Sequence, residues 1–439
     1  MRRLLLVTVG CLVIGAGCGP RQEGPRPLRI WHWMTDREDA FNELARRYRE
    51  DTGTAVRFEL YVPSDLYVQK VRAAAQTDGL PEIFGVLGEL RDLASFIHAG
   101  HVGALDEPLG RGPGSWRETL FPKALAVNAF ERDNPYGVDP GIYGIPIDVM
   151  NIQVFYNTQL LAQLGLDPES PPRTWAEFLK VGELAAGQNL IGMVSGWAEL
   201  WMIDCFATNY AIHTMGMEKV ERTYQGAVAY TDPDWIRVFA LFEQLRDSGL
   251  LAEGVVTMVN KRAEQLFANG RAVFAFNGSW GINVYQGMNP DLEFGIMMPP
   301  AVTDRPVVTW GGAGSSFFVN ASAERRAEAL AFLEWLTAEP QQRYLLETTH
   351  NIPANRAAAA GITGPLAAFA SAMDATVHPR LFAAQEHSTV IETFDKGIQR
   401  ILIGEATASD VARDVQAVKD REMSRQAPRR DAAAASVTD

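Results

Sequence analysis

Cysteine is scarce in this sequence. Only three of the 439 residues are cysteines, at positions 11, 18 and 205. The first two lie in or directly after an apolar N-terminal segment that is typical of an export signal. With Cys18 expected to be modified there, no intramolecular disulfide can form in the mature chain, so its stability has to come from packing. Cys205 lies in the apolar run 201–206 and is expected to be a buried thiol.

An excess of positive charge is also missing. Forty lysines and arginines stand against 53 aspartates and glutamates, which gives a net charge of −13, or −15 once Arg2 and Arg3 leave with the signal. No basic run interrupts this balance, and nucleic acid is therefore excluded as a partner.

Motifs of catalysis and of metal or cofactor binding are absent as well. There is no G-x-S-x-G nucleophile elbow, and Gly311–Ser316 lacks the lysine of a phosphate-binding loop. The seven histidines are scattered, and the pair His98 and His101 has Gly100 between them, which marks a helix end better than a zinc site. We therefore expect no cofactor and no metal. Carboxylate pairs that hydrolyse glycosides stay open as an alternative, because a sequence does not give their separation.

The N-terminus has the three parts of a secretory signal. Arg2 and Arg3 precede the apolar stretch Leu4–Ala16, which is too short to cross about 30 Å of hydrocarbon as a stable helix. We predict a signal peptide at 1–17, lipidation of Cys18 and a flexible tether at 18–27 that is rich in proline, glycine and charge. The alternative is a plain signal peptide that is cut near Cys18.

The remaining sequence alternates strands with amphipathic helices, which is the pattern of α/β folds. The first strand is predicted at Leu28–Trp33, the next at Val56–Leu60 and a third at Pro81–Phe84. Capping boxes that pair Thr35 with Glu38 and Thr174 with Glu177 predict two helix starts.

The segment Arg271–Asn283, RAVFAFNGSWGIN, is the most informative part of the chain. It predicts a buried strand, Ala272–Phe276, that runs into a polar loop with Trp280, after a short helix closed by Gly270 as a left-handed cap. Open α/β sheets bind ligands in the crevice at the carboxyl ends of their strands. The pattern therefore predicts that Trp280 faces a ligand.

Several segments resemble the family 1 extracellular solute-binding proteins, the receptors of carbohydrate-importing ABC transporters. They are LFANGRAVFAFNGSW, which ends at Trp280, YGIPIDVMNIQVFYN at 143–157, the T-W-A-E of 174–177 and NIPANR at 351–356. The resemblance covers about residues 28–420.

The resemblance implies an α/β fold of the two-lobed periplasmic-binding-protein type II, with hinge strands and a ligand cleft between the lobes. We expect lobe one at 28–148 plus 295–345, and lobe two at 149–294 plus 346–423. Hinge strands are expected near Pro146–Asn151 and Leu292–Met297. The alanine-rich residues 424–439 are expected to form a disordered tail.

Tryptophan is the chemical argument for a sugar ligand. A pyranose has an apolar C–H face that an indole plane covers, and a rim of hydroxyls that carboxylates and amides bind. The resemblance makes Trp280 the first stacking candidate. Further candidates near strand ends are Trp33, Trp197, and Trp310 with the following Gly311. Each of them has a buried core tryptophan as its alternative.

For the hydroxyl rim, the candidates are three carboxylates. Asp36 lies at the start of the first helix, Asp148 beside the first crossing strand, and Glu89 beyond the third strand. The alternative for each is a solvated surface carboxylate.

The function implied by the resemblance is an exported, monomeric receptor that delivers a mono- or oligosaccharide to the permease subunits of an ABC importer by hinge closure. The segment IWHWMTDRED at 30–39 also resembles receptors of phosphorylated polyols such as glycerol 3-phosphate. A phosphate needs arginines, lysines or helix N-termini that converge on the cleft. The strand-end loops contain more tryptophan and carboxylate than arginine, which favours a neutral sugar.

Overall fold

The computed structural model describes residues 26–436 apart from positions 63, 89, 133, 313, 383 and 384, and describes side chains up to residue 425 apart from that of position 65. The predicted signal peptide, Cys18 and Glu89 lie outside the described residues.

The described chain alternates between strands and helices along its length. The strands are β1 (Leu28–His32), β2 (Val56–Leu60), β3 (Ile83–Phe84), β4 (Ala129–Phe130), β5 (Gly141–Ile142), β6 (Ile145–Pro146), β7 (Asp148–Val149), β8 (Ile152–Asn157), β9 (Ile191–Val194), β10 (Ala272–Gly278), β11 (Phe294–Met297), β12 (Thr309–Trp310), β13 (Ser316–Val319), β14 (Ile352–Pro353) and β15 (Thr376–Val377). The helices are α1 (Glu38–Thr52), α2 (Ser64–Ala75), α3 (Leu90–His98), α4 (Asp106–Leu109), α5 (Trp116–Thr119), α6 (Pro122–Ala126), α7 (Thr158–Gln163), α8 (Trp175–Gly187), α9 (Leu200–Met215), α10 (Met217–Tyr224), α11 (Pro233–Asp247), α12 (Asn260–Ala268), α13 (Gly281–Met288), α14 (Arg326–Leu336), α15 (Glu339–Thr349), α16 (Leu366–Ser371), α17 (Ser388–Leu402) and α18 (Ala408–Ser436).

Two separate sheets define two lobes. The first sheet has the order β2-β1-β3-β13-β6, in which β1 is parallel to β2 and β3, while β13 is antiparallel to β3 and β6. The second sheet has the order β11-β8-β10-β9, in which only β9 and β10 are parallel. The half of the structure that contains the first sheet is called the first lobe, and the half that contains the second sheet is called the second lobe. The predicted α/β fold with two lobes is confirmed.

Each sheet is buried on both faces because successive side chains point in opposite directions. In the first lobe, Ile30 packs against α1 and α14 side chains, while the next residue, Trp31, belongs to the cluster on the other face. In the second lobe, the neighbouring residues Phe274 and Ala275 likewise belong to the clusters on opposite faces of the sheet. Every residue of β10 is buried, as the apolar run of its sequence predicts.

The chain passes between the two sheets at three places. The first crossing lies at 147–151, between β6 and β8, and contains β7. The second lies between β11 and β13 and contains β12, which pairs with β15. The third contains β14, which pairs with β7 of the first crossing. The crossings therefore hydrogen-bond to one another and to neighbouring segments.

The predicted second hinge at Leu292–Met297 is wrong. Phe294–Met297 is β11, an edge strand of the second sheet that pairs with β8 over its whole length. Its side chains pack into the two clusters of the second lobe, which a hinge strand would not do. The second segment of lobe one, predicted at 295–345, therefore begins only after this strand. Its predicted end at 345 falls inside α15, a continuous helix that contacts α1.

The C-terminal end also differs from the prediction. The structure continues α18 to Ser436, so the expected disordered tail is helical at 424–436. The physical reason is composition, because alanine has the highest helix propensity and residues 432–435 are all alanine. The described part of α18 packs against α11 and α17 in the second lobe.

Candidate functional site

The segments that follow the carboxyl ends of β1 and β10 meet where the two lobes contact each other. The loop after β1 contains Asp36, and the strand β10 leads into α13, which contains Asn283. The Nδ2 group of Asn283 donates to the main-chain oxygen of Asp36 at 3.0 Å, so these ends of the two lobes are in direct contact. Ligands of open α/β sheets bind at such strand ends, and this region is therefore the candidate binding surface.

Trp280, the first candidate from the sequence, lies at this edge of the second lobe. Its ring lies directly over Gly278 at the end of β10, where a Cβ in place of the glycine hydrogen would come within 1.9 Å of the indole. Only glycine fits beneath the ring, and the strand end thus supports the indole from one side. Trp280 is partly buried and packs against the core of the second lobe, with the rest of its surface exposed.

A second tryptophan, which the sequence pattern does not single out, stands beside Trp280. Trp201, in the first turn of α9, is 40% exposed, which is high for so large an apolar side chain. The centroids of the two indoles are 6.1 Å apart and their planes meet at 46°. We call Trp201 and Trp280 the indole pair. The sequence places Trp201 near a strand end in an apolar run but does not orient its side chain, because α9 is apolar on most of its surface and shows no stripe.

Two carboxylates and two amides lie behind the indole pair. The Nε1 group of Trp201 donates to Oε2 of Glu199 at 3.2 Å. Oε1 of Glu264 accepts from Nδ2 of Asn260 at 3.0 Å and from Nδ2 of Asn277 at 3.3 Å. Burial raises the pKa of Glu264, although Asn277, the nearby lysine and the Trp280 indole oppose that shift.

Trp33, a predicted site residue, has an equivalent position in the first lobe. It follows β1, is partly buried, and lies over Gly85, where an added Cβ would come within 2.1 Å of its ring. The hydroxyl of Tyr67 fixes this arrangement, because its one O–H is shared between the main-chain oxygens of Trp31 and Gly85, each at 3.1 Å, and its oxygen accepts from the Gly85 amide at 2.6 Å. Both lobes thus place a tryptophan over a glycine at a strand end.

Asp36 and Asp148 are brought together by Arg37, which the sequence shows only as the neighbour of Asp36. The guanidinium of Arg37 is paired with both carboxylates, at 3.1 Å to Asp36 and more closely to Asp148. The three side chains are only 5 to 9% exposed. Asp36 also accepts from Nδ2 of Asn351 at 2.7 Å, and Asp148 accepts from the main-chain amide of Ser315.

The electrostatics of this buried triad favour the charged forms of Asp36 and Arg37. Burial opposes ionisation of Asp36, but the charge of Arg37 and the hydrogen bond from Asn351 outweigh it and lower the pKa of Asp36. Burial likewise opposes the charge of Arg37 and would lower its pKa. The two carboxylates stabilise that charge by more, so the pKa of Arg37 is raised. The two aspartates therefore compensate Arg37 and are not solvated surface carboxylates.

Trp197, another predicted site residue, is a core residue. It is 0% exposed and its ring contacts Phe206 edge-on at 5.2 Å, with Phe242 at 6.0 Å. Its main-chain oxygen accepts from Gln399, which ties the loop after β9 to α17. The expectation that this tryptophan lines a ligand loop is wrong, because the loop turns the side chain into the interior.

Trp310 and Gly311 lie in the second crossing. Trp310 is partly buried against the core of the second lobe, and its ring is 4.5 Å from that of His378. Gly311 has a φ of 152°, and a Cβ at this position would lie 2.4 Å from the main-chain oxygen of Met150. The close approach predicted at this glycine thus exists, but the neighbour is the first crossing of the same chain.

Within the described residues, we find no group of three or more histidine, cysteine, aspartate or glutamate side chains that could hold a metal ion. The same residues contain no helix with the length and apolarity needed to cross a membrane.

Comparison with known proteins identifies the family. Residues 43–373, about three quarters of the chain, match the family of bacterial extracellular solute-binding proteins. The chain belongs to this family. The predicted family and the prediction of an exported binding protein in place of an enzyme are thereby confirmed.

Individual relatives are distant in sequence. The multiple sugar-binding protein of Streptococcus mutans is 24% identical over 48% of this chain, and the match spans only about half, 51%, of that protein. The melibiose/raffinose/stachyose-binding protein of Bacillus subtilis is 22% identical over 79% of this chain and 78% of its own. The sn-glycerol-3-phosphate-binding periplasmic protein of Brucella abortus is 22% identical over 81% of both chains.

Solved structures share the fold. A chitin oligosaccharide binding protein superimposes with a TM-score of 0.72 at 22% identity and covers 90% of this chain and all of its own. An ABC transporter solute-binding protein of Thermotoga lettingae, bound to α-D-tagatose, has a TM-score of 0.74 at 17% identity, with 89% of this chain and 98% of its own covered.

Proposed function

We propose that this chain is the receptor of an ABC importer and binds a carbohydrate between its two lobes, with the indole pair as the stacking surface. The single observation that carries the proposal is the partly exposed pair Trp201 and Trp280, with Trp280 at the start of α13, the helix whose Asn283 contacts the first lobe. Large exposed aromatic surfaces on a soluble protein mark binding sites, and indole faces complement the C–H face of a sugar ring. The sugars named for the relatives agree with this chemistry.

The proposal includes attachment and delivery. Cys18 is lipidated after removal of residues 1–17 and holds the receptor by the tether 18–27 at the outer face of the membrane, next to the permease subunits. The receptor acts as a monomer, and closure of the two lobes over the ligand presents the face that the permease binds. Three features of the N-terminus support the anchor. They are the pair Arg2 and Arg3, the apolar stretch that follows, and the small residues before Cys18.

A phosphorylated polyol is the second candidate, because one group of relatives binds sn-glycerol 3-phosphate. Arg37 is the cation at the start of α1, where a phosphate would be bound. Its guanidinium is buried and already paired with Asp36 and Asp148. A phosphate there would have to compete with two carboxylates, and the site therefore favours a neutral ligand.

A thermal-shift screen of residues 19–439 tests the proposal against sugars and sn-glycerol 3-phosphate. A ligand at about 100 times its Kd stabilises the folded state by about 2.7 kcal/mol. We expect a sugar to raise the Tm of the wild type clearly more than that of Trp280→Ala. Trp335→Ala, which removes a partly exposed tryptophan of α14 in the first lobe, is the control that should keep the shift. Stabilisation by sn-glycerol 3-phosphate and by no sugar would refute the proposal.

A further inference from the structure

We propose that Trp201 and Trp280 form one continuous stacking surface, held by Asn260 through Glu199 and Glu264, that selects ligands of at least two consecutive sugar rings. This inference rests on the proposed function and narrows its substrate class from carbohydrates in general to oligosaccharides.

The spacing of the indole pair shows that the rings lie side by side. A sugar ring held between two indoles would need a carbon contact of about 3.5–4.0 Å on each side, and hence about 7–8 Å between the indoles. The centroids are only 6.1 Å apart and the planes are tilted by 46°. A ligand therefore cannot enter between the rings. It can only lie across them.

The indole nitrogen of Trp201 is engaged by the protein, and the Trp280 side chain lies close to a carboxylate. Nε1 of Trp201 donates to Glu199, and the Trp280 side chain interacts with the carboxylate of Glu264. With its N–H engaged by Glu199, Trp201 offers its apolar carbon surface to the ligand, and Trp280 lies beside it with its ring over Gly278. That surface fits the C–H faces of sugar rings, and the hydroxyls have to be bound elsewhere.

Asn260, the first residue of α12, connects the two carboxylates. Its main-chain amide donates to Oε1 of Glu199 at 2.8 Å, and its Nδ2 group donates to Oε1 of Glu264 at 3.0 Å. Gly196 packs so closely that a Cβ on it would lie 2.6 Å from the Cα of Asn260. The side chain and backbone of Asn260 thus fix the positions of both indoles relative to each other. We assign Asn260 as a positioning residue.

A surface of two adjacent indoles distinguishes ligands by length. One pyranose ring covers about one indole, so a monosaccharide that stacks on Trp280 leaves Trp201 uncovered. A second ring joined to the first reaches Trp201 and gains a second apolar contact. Trp201 should therefore contribute to the binding of disaccharides and longer sugars and contribute little for monosaccharides.

Calorimetric titrations of wild type and Trp201→Ala with two series test this selection. The series are galactose, melibiose and raffinose, and glucose, maltose and maltotriose. In the series that binds, we expect the wild type to bind the disaccharide about tenfold or more tightly than the monosaccharide, and Trp201→Ala to lose that gain. Trp280→Ala should weaken every member. A Trp201→Ala variant that keeps the full gain from the second ring would overturn the inference while leaving the proposed function intact. Wild-type protein that binds no sugar of either series would overturn both.

The role of Asn260 is tested first without a ligand and then with one. Two indoles at this distance couple their transitions, and the near-ultraviolet circular dichroism of the wild type should contain a signal that Trp201→Ala and Trp280→Ala each remove. We expect Asn260→Ala to reduce this signal and to weaken melibiose or maltose binding more than the corresponding monosaccharide. Asn269→Ala, on the exposed end of the same helix, is the matched control. An Asn260→Ala protein that keeps both the signal and the affinity gain would overturn the assignment.

Discussion

Replacement of Arg37 by alanine should destabilise the protein strongly. Arg37 pairs with Asp36 and Asp148, and all three side chains are nearly inaccessible to solvent. The variant leaves two negative charges buried without their common partner. Removal of one member of a buried ion pair costs about 3–5 kcal/mol, so we expect a loss of this size in the free energy of unfolding.

The location of the triad adds a second consequence. Asp148 lies in β7 of the first crossing, and Asn351, which binds Asp36, directly precedes β14. The triad therefore joins the loop after β1 to two of the three crossings. We expect Arg37→Ala to reduce ligand affinity in addition to stability, because the loop and the crossings lose their common link.

Urea unfolding followed by tryptophan fluorescence measures the loss. Arg237→Ala is the matched control, since Arg237 is 61% exposed and pairs with Asp234 one helical turn away. Such surface pairs contribute about 0.5 kcal/mol or less. The triple variant Asp36→Asn, Arg37→Met, Asp148→Asn removes all three charges together and should be more stable than Arg37→Ala. A loss below about 1 kcal/mol for Arg37→Ala would refute the reasoning, because the charges would then be solvated.

Further predictions concern the site, two pH ranges and the anchor. Trp280→Ala should weaken sugar binding by about 1–3 kcal/mol in calorimetry, and a large fall in Tm with unchanged affinity would reassign Trp280 to the core. Burial, followed by the charge of Arg37, lowers the pKa of His32 to about 4, so its contribution to stability is complete above about pH 6.5 and is lost as the pH falls towards 4. Urea midpoints should show that slope in the wild type and not in His32→Leu, and equal slopes would contradict it. Because the folded pKa of Asp36 is lowered, its contribution is present above about pH 4 and disappears below, so the stability gap between wild type and Asp36→Asn should narrow with acid. A gap that stays constant to pH 2 would contradict this. Cys18→Ser should move the protein from the membrane fraction to the soluble fraction, and equal solubility of both forms would exclude the anchor.

The sequence predicts the α/β fold well because its signals are local and repeated. The run Ala272–Phe276 has no polar residue, and it belongs to β10, one of the two inner strands of the second sheet. The capping box of Thr174 and Glu177 forms as predicted. That of Thr35 and Glu38 does not, because α1 begins only at Glu38 with Arg37 before it, and Arg37 is held by the two aspartates.

The site is harder to predict because orientation and partners depend on distant parts of the chain. Trp197 and Trp201 are four residues apart after the same strand, yet one is fully buried and the other 40% exposed. Nothing in the sequence orients them, since α9 packs on most of its sides. From the sequence, Asp36 and Asp148 are predicted to be solvated or ligand-binding carboxylates. The fold shows that both pair with Arg37, which is 111 residues from Asp148 in the chain. The adjacent Asp36-Arg37 pair is the only local signal of that arrangement.

Small-angle X-ray scattering with and without a sugar is the most direct test of the central claim, that the ligand binds between the two lobes and closes them. Contacts from both lobes can form together only when the lobes approach, which gives the ligand a higher affinity for the closed form. The contact of Asn283 with the main chain of Asp36, which is formed in this structure, is one that an open form would lose. We predict that the radius of gyration of residues 19–439 decreases when the sugar that gives the largest thermal shift is present at saturation. A radius that stays the same at saturation, with binding confirmed by calorimetry in the same sample, would contradict the account.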